Sequence, residues 1–341
     1  MRAMVLRDFE QPLTLEERPI PTPRGAEVLL KVRAAGVCGT DLKIARGRNR
    51  RAKLPRVLCH EFAGEVVEVG SEVRHRKVGD RGVVYFYIPC GQCEYCLTGR
   101  ENLCAHRQGF FGFDRDGGFA EYVALPEANL VPIPDSVPFE EAAILSDAVA
   151  TSWHAVRTKA DLRPGQTAVI VGLGGLGLHA LQAVRACGGV AIGVDTVASK
   201  LQAATGNGAQ YVVDASQGDF AKDVMRITNG RGADAAVEFR GHPETLEPCV
   251  KCLKPDGILV MVAYYDPGKP LGIEQRLVQG PEVRITGTRG NTRKELAEVV
   301  QLVAMKALHP IIAQVMGLEQ VNEAIDLLGT GKVIGRIVLI P

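Results

Sequence analysis

The 341-residue chain carries no excess of charge: 40 lysines and arginines face 39 acids, a formal net charge of +1. Without a basic surplus, nothing electrostatic points to nucleic acid as a partner. A long uninterrupted apolar run is also lacking. The most apolar stretch, TAVIVGLGGLGLHALQAV, is broken by glycines and a histidine and makes a poor membrane span. The opening MRAMVLRDFEQP meets Asp8 and Glu10 before an apolar stretch of signal length develops. The expected setting is therefore the cytoplasm, away from membranes. Internal repeats, low-complexity segments and long linkers are missing too. What is left is the composition of an ordinary folded protein, long for one core and comfortable for two domains.

Cysteine is plentiful, with nine in the chain. In a reducing compartment spaced thiols hold metal more often than they form disulfides. Four of them, Cys90, Cys93, Cys96 and Cys104, share the segment PCGQCEYCLTGRENLC at 89–104. Four thiolates close a tetrahedral shell around Zn2+ and leave no position for substrate. Gly91 and Gly99 give the backbone freedom to wrap an ion. An iron–sulfur cluster is the rival occupant. A zinc ribbon of a binding module is a second rival, but this loop has no run of lysines and arginines and sits inside a much longer apolar chain. If the lobe at 89–105 is structural, the chemistry lies elsewhere.

Up to about residue 145 the sequence reads as strands and turns, with EVLLKVRAAGVCGTD and EFAGEVVEVGSEV rich in β-formers. From TAVIVGLGGLGLHALQAVRACGGVAIGVD onward, strands alternate with helices, which implies a parallel sheet covered on both faces. TRKELAEVVQLVAM is an amphipathic helix and GRIVLIP a closing strand. The glycine turn Gly172, Gly174, Gly177 follows the apolar run 168–171 and opens a helix. In that context G-x-G-x-x-G is a dinucleotide signal: glycines let the backbone approach a pyrophosphate, and the helix start offers free amides. Asp195 ends the next strand, where its carboxylate can accept from ribose hydroxyls and repel a 2′-phosphate. NAD is thus expected over NADP.

Cys38 in GVCGTD, His60 and Glu61 in CHEFAG, and Asp147 in ILSDAVATSWHA supply sulfur, nitrogen and oxygen donors. Each alone has a bland reading: a buried thiol, a strand-end pair, a helix cap. Together they suit a catalytic zinc with one open position.

The order Gly-x-Cys-Gly-Thr-Asp, His-Glu, the four-cysteine lobe, Gly-Gly-Phe-Ala-Glu-Tyr, Gly-Leu-Gly-Gly-Leu-Gly and Gly-x-x-x-Gly-Arg resembles the zinc-dependent medium-chain alcohol dehydrogenases over essentially the whole chain. The resemblance implies an α/β protein with a GroES-like, β-rich catalytic domain at 1–146 and 297–341 and a Rossmann domain at 147–296. It implies two zinc ions and NAD per chain, hydride transfer between an alcohol and NAD, a small alcohol or carbonyl substrate, and a homodimer or homotetramer. By the same match, Cys38, His60 and Asp147 hold the catalytic zinc, with Glu61 either behind those ligands or exchanging with them. Asp147 stands where many relatives have cysteine. Thr40 matches the proton-passing hydroxyl, and Thr151 a residue packed on the nicotinamide. Gly175, Leu176, Asp195 and Lys200 match cofactor contacts, Arg336 a pyrophosphate contact, and Phe86 and Tyr264 the substrate pocket. Lys43 replaces the histidine that ends some relatives' proton relay. Cys59 replaces the usual glycine before the histidine and reads as a packed thiol or a competing ligand. Cys249 and Cys252 read as core rather than metal ligands, having no partner cysteines nearby, and RGRNRRAK as a solvated loop or a basic rim for an anionic substrate. Two rival functions stay open: a zinc-independent alkene reductase of the same superfamily, and an inactive NAD-binding regulator.

Overall fold

A computed structural model of the chain describes residues 1–263 and 270–341; Tyr264 lies outside the described residues. Two units form. One comprises Met1–Ala150, Asn291–Lys306 and Pro310–Pro341; the other comprises Thr151–Gly290 and Ala307–His309. The expected boundaries were 146/147 and 296/297. The first unit also takes in 147–150 and 291–296; at the second boundary Asn291, wholly buried, binds back to it, its Nδ2 donating to Ser146 O at 2.7 Å and its carbonyl accepting from Tyr85 OH at 3.1 Å.

In the first unit the main sheet has the order Leu130–Pro132, Arg81–Val84, Glu61–Val69, Glu27–Val37, Arg336–Ile340, Ile312–Gly317, with Tyr122–Pro126 also paired to Glu27–Val37. Leu30, Val32, Phe62, Val66, Phe119 and Leu339 are among its core residues, each at most 3% exposed. Glu27–Val37 runs antiparallel to both Glu61–Val69 and Arg336–Ile340, with Gly36 opposite Glu61 and Val37 opposite Ile337. That register decides where the chemistry sits. The end of one strand meets the beginnings of two others, so Cys38, His60–Glu61 and Arg336 arrive at one rim.

The second unit is a six-stranded parallel sheet in the order Tyr211–Asp214, Val190–Asp195, Thr167–Val171, Ala233–Glu238, Leu253–Met261, Arg284–Gly287. Numbered along the chain this is 3-2-1-4-5-6, the Rossmann order, whose strand direction of travel reverses beside Thr167–Val171. That strand is buried at every position, as an apolar run in a parallel sheet should be. Cys249 and Cys252 belong to this unit's core, both 0% exposed; burial raises both thiols, Cys252 to about 12. No helix among the described residues is long and apolar enough to cross a membrane.

Candidate metal centres and dinucleotide site

The cysteine segment folds as a compact lobe. Cys93 caps the short helix Glu94–Leu97, which carries Cys96, and the turn Glu101–Leu103 delivers Cys104. Gly91 and Gly99 take φ of 75° and 70°, the left-handed region that glycine enters freely. All nine cysteines of the chain are free thiols. Within the lobe, Sγ–Sγ separations are 3.5 Å for Cys93–Cys96 and Cys104–Cys90, 3.8 Å for Cys93–Cys104 and 3.9 Å for Cys90–Cys96. A tetrahedron with Zn–S bonds of about 2.3 Å has edges of about 3.8 Å. The sulfurs therefore fit a single zinc ion, whereas a multi-iron cluster would need them further apart. Cys90 N donates to Cys104 Sγ at 3.3 Å. Backbone N–H bonding from Cys96 is the main influence that takes the Cys93 thiol down to about 6, toward the thiolate that a metal needs.

The second constellation assembles as the strand register dictates. Asp147 Oδ2 lies 3.5 Å from Cys38 Sγ and 3.6 Å from His60 Nε2, and the donor atoms of Cys38, His60, Glu61 and Asp147 all lie within 4.8 Å of one another. Asp147 is carried by the π-helix Leu145–Val149. A side chain at Gly36 would meet Glu61 Oε2 at 2.6 Å, so only glycine there leaves room for the carboxylate.

Arg336 is 3% exposed and packs against this cluster. Its Nη2 donates to Glu61 Oε1 at 2.6 Å and lies 3.3 Å from Cys38 Sγ and 3.4 Å from Asp147 Oδ2. Burial raises Cys38, and it raises Glu61 to about 7 against the pull of Arg336. Burial pulls His60 down, but bonds to Asp147 and Cys38 outweigh it and hold the imidazole well above its ordinary range. The rim thus gathers more acids than bases. A divalent cation is the counter-charge such a sulfur, nitrogen and oxygen set accommodates.

Asp41 is the main site residue that sequence reasoning missed. It is 1% exposed; its Oδ2 accepts Cys38 N at 2.9 Å and its Oδ1 accepts Cys59 N at 3.2 Å. Oδ1 also stands 4.0 Å from His60 Nδ1, a buried ring nitrogen without a hydrogen-bond partner. This carboxylate faces the side of the imidazole away from the ligand cluster, as carboxylates behind metal-bound histidines do. Its place three residues after Cys38 in GVCGTD, the offset of a capping box, was the available signal.

Thr40 and Lys43 are both half-buried, one helical turn apart on Gly39–Ala45. Cys59 is wholly buried at φ 84°, with Sγ 3.3 Å from Glu61 O and 3.5 Å from Gly36 O, outside the set of grouped donors. That geometry matches the packed-thiol reading. Phe86, 2% exposed, meets the His60 ring edge-on at 5.5 Å and stacks on Phe110 at 5.2 Å. Phe110, which sequence reasoning did not single out, also meets His60 edge-on at 5.7 Å and is less buried. In the basic loop, Arg46 is paired with Asp326 and Arg50 with Glu10.

In the second unit, Gly172 has φ 90°, and a side chain at Gly177 would come within 1.9 Å of Gly172 O. Beside Gly174 nothing lies within 4 Å of where a side chain would be, which is the open approach a pyrophosphate requires. Helix Gly177–Ala186 begins there, with Leu176 at its cap. Asp195 Oδ2 accepts Leu173 N at 2.7 Å, and Oδ1 accepts Thr196 N and Val197 N at 2.8 and 3.0 Å. The carboxylate is thus fixed against the glycine turn. Lys200 lies on the following helix, Ala198–Gly206, and Thr151 is buried.

A Rossmann unit with a built dinucleotide turn, and a β-rich unit with a four-thiol cluster and a mixed sulfur, nitrogen and oxygen cluster, define a class of metal-dependent dehydrogenase. Residues 24–135 match the Alcohol dehydrogenase GroES-like domain, and residues 175–305 match Zinc-binding dehydrogenase. A NAD-dependent alcohol dehydrogenase of Sulfurisphaera tokodaii is 38% identical, over 100% of both chains. The solved structure of AibC is 36% identical with a TM-score of 0.93, covering 100% of this chain and 96% of that one. The alcohol dehydrogenase of Aeropyrum pernix is 32% identical with a TM-score of 0.93, covering 100% of each. The chain belongs to the zinc-containing medium-chain dehydrogenase family.

Proposed function

We propose that this protein is a NAD-dependent zinc alcohol dehydrogenase, an oxidoreductase interconverting an alcohol with its aldehyde or ketone. The observation that carries the reading is the buried donor set of Cys38, His60, Glu61 and Asp147 on one rim. A zinc-independent reductase would have no use for it, and a NAD-binding regulator would not need it. Bound zinc supplies Lewis acidity toward an alcohol or carbonyl oxygen, and bound NAD supplies the hydride acceptor. Cys38, His60 and Asp147 hold the metal; Glu61, already bonded to Arg336, is the exchanging ligand. Asp41 holds the His60 ring in orientation. The Thr40 hydroxyl accepts the substrate proton as it gives up its own toward the cofactor ribose and solvent, and Lys43, one helical turn on, stands where some relatives end their relay. The 172–177 turn, Leu176, Asp195, Lys200 and Thr151 bind the dinucleotide, and the pyrophosphate contact of Arg336 belongs to the same proposal. The Phe86–Phe110 wall beside His60 favours an apolar group next to the reacting carbon of a secondary alcohol, polyol or hydroxy compound.

Nine free thiols accord with the cytoplasm. Among the described residues Arg284–Gly287 is an edge strand, which accords with a homodimer or homotetramer.

Zinc analysis combined with kinetics tests the reading. Two zinc ions per chain are expected, and Cys38→Ala should lose one of them together with turnover. NAD should exceed NADP in kcat/KM by about 10²-fold, or about 2.7 kcal/mol, because Asp195 opposes a 2′-phosphate and no arginine follows it. Full zinc and full turnover in Cys38→Ala, or parity of the two cofactors, would overturn the corresponding assignment.

A further inference from the structure

One side chain bridges two of the proposed catalytic ligands. Ser146, 0% exposed, immediately precedes Asp147 in the π-helix. Its hydroxyl lies 3.2 Å from His60 O and 3.3 Å from Ala143 O. The Ala143 contact is the local bond any helical serine can make. The His60 contact reaches across to the strand that supplies the imidazole. Ser146 O in turn accepts Asn291 Nδ2 at 2.7 Å.

Asn291 is 0% exposed, and its Oδ1 has no hydrogen-bond partner. A buried acceptor left unpaired is costly, and an apolar residue of similar size would avoid the cost. The amide is explained by its donor. Ser146 O can only accept, which fixes the Nδ2 toward it and leaves Oδ1 as the orphan.

Asn291 is itself held on both sides. Its carbonyl accepts from Tyr85 OH. Thr292 opens helix Arg293–Ala304 through a reciprocal capping box with Glu295. Arg293 N donates to Glu101 Oε1 at 2.7 Å. Glu101, 4% exposed, starts the turn that delivers Cys104 to the four-cysteine lobe. The part-buried Arg293–Glu101 bond, the backbone of 291–293 and the buried Asn291–Ser146 and Ser146–His60 bonds therefore link the edge of that lobe to the residues beside His60 and Asp147. A π-helix is uncommon and occurs mostly at functional sites; here it presents Asp147.

We infer that Asn291 and Ser146 are positioning residues for the catalytic metal centre, and that Glu101 ties them to the four-cysteine lobe, so that the lobe sets the seat of Asp147. This rests on the zinc reading above. The bonds fix backbone at both ligands, so their loss should loosen the metal rather than unfold the unit. Partners that orient metal ligands from behind typically change metal affinity by about 10- to 100-fold.

The test measures zinc affinity in the full-length protein by competition with a chromogenic chelator, together with the absorption spectrum after cobalt replacement. Ser146→Ala and Asn291→Ala should keep the lobe zinc, hold the catalytic zinc about 10- to 100-fold more weakly, and shift the cobalt spectrum. Ser146→Thr, which keeps the hydroxyl, should restore both readouts. Glu101→Ala should weaken the catalytic zinc in the same direction. The Ser146 pair decides the matter if Asn291→Ala fails to fold. Unchanged affinity and spectrum in Ser146→Ala overturn the inference, as does loss of both zincs together with the fold. A wild type that binds only the lobe zinc overturns the earlier reading instead.

Discussion

Cys59 shows how much one residue can disclose in sequence and how much it withholds. Its thiol beside His60 was visible, as was its departure from the usual glycine. Its backbone was not: φ is 84°, where a Cβ costs about 1 kcal/mol that glycine does not incur. Its carbonyl is closely packed as well, since a side chain at Gly117 would meet Cys59 O at 1.8 Å. The thiol is retained at a conformational cost that burial of its sulfur offsets. Cys59→Ala loses the packing and keeps the strain, whereas Cys59→Gly loses both. Denaturant unfolding should therefore find Cys59→Gly more stable than Cys59→Ala by about 1 kcal/mol. The reverse order would show that the left-handed backbone carries no strain. Asp41 and Arg336 illustrate the same limit from the other side. A single acid in GVCGTD gives no hint that it will face His60. An arginine opening the last strand gives no hint that antiparallel pairing will bring it to Glu61. Partners far apart in sequence become legible only once the strand register is known.

At the scale of elements the sequence was more open. The strands Glu61–Val69 and Arg336–Ile340, the helix Arg293–Ala304 and the alternating order of the Rossmann unit all follow from periodicity and glycine punctuation. The π-helix at Leu145–Val149 was not foreseen, because its hydrogen-bond pattern leaves no periodic mark over five residues. The glycine turn is the element whose residues separate most cleanly by role. Gly177 is required by packing, since its Cβ would strike Gly172 O at 1.9 Å; Gly174 faces open space. Gly177→Ala should lower stability by about 1–3 kcal/mol even without cofactor. Gly174→Ala should leave the melting temperature unchanged and weaken NADH binding about tenfold, or about 1.4 kcal/mol. Thermal melts of the ligand-free variants, with NADH fluorescence titration, check both. Equal destabilisation by the two substitutions would refute the division.

At the scale of the whole molecule, two units each hold their own apolar core, one around Leu30, Phe62 and Leu339 and the other around Val169, Ile192 and Leu259. The proposed ligands divide the same way: the donors of both metal constellations lie in the first unit, and the glycine turn and Asp195 lie in the second. A ligand that binds only folded protein stabilises what it binds by mass action, by about 2.7 kcal/mol at a hundred times its Kd. Amides that exchange only through global opening of a unit should then exchange about 100-fold more slowly. NAD at that level should slow exchange most in Thr167–Val171, Val190–Asp195 and the start of Gly177–Ala186. Zinc removal by chelation should instead speed exchange around Cys38, His60–Val69, residues 89–105 and Arg293–Ala304, the last because its first amide is held by Glu101 beside the lobe. Hydrogen exchange read by mass spectrometry on zinc-loaded, zinc-free and NAD-saturated protein distinguishes the two patterns. If NAD protected the first unit's core as strongly as the second, or if chelation left Arg293–Ala304 unchanged while the lobe opened, the division of roles argued from the two cores would fail.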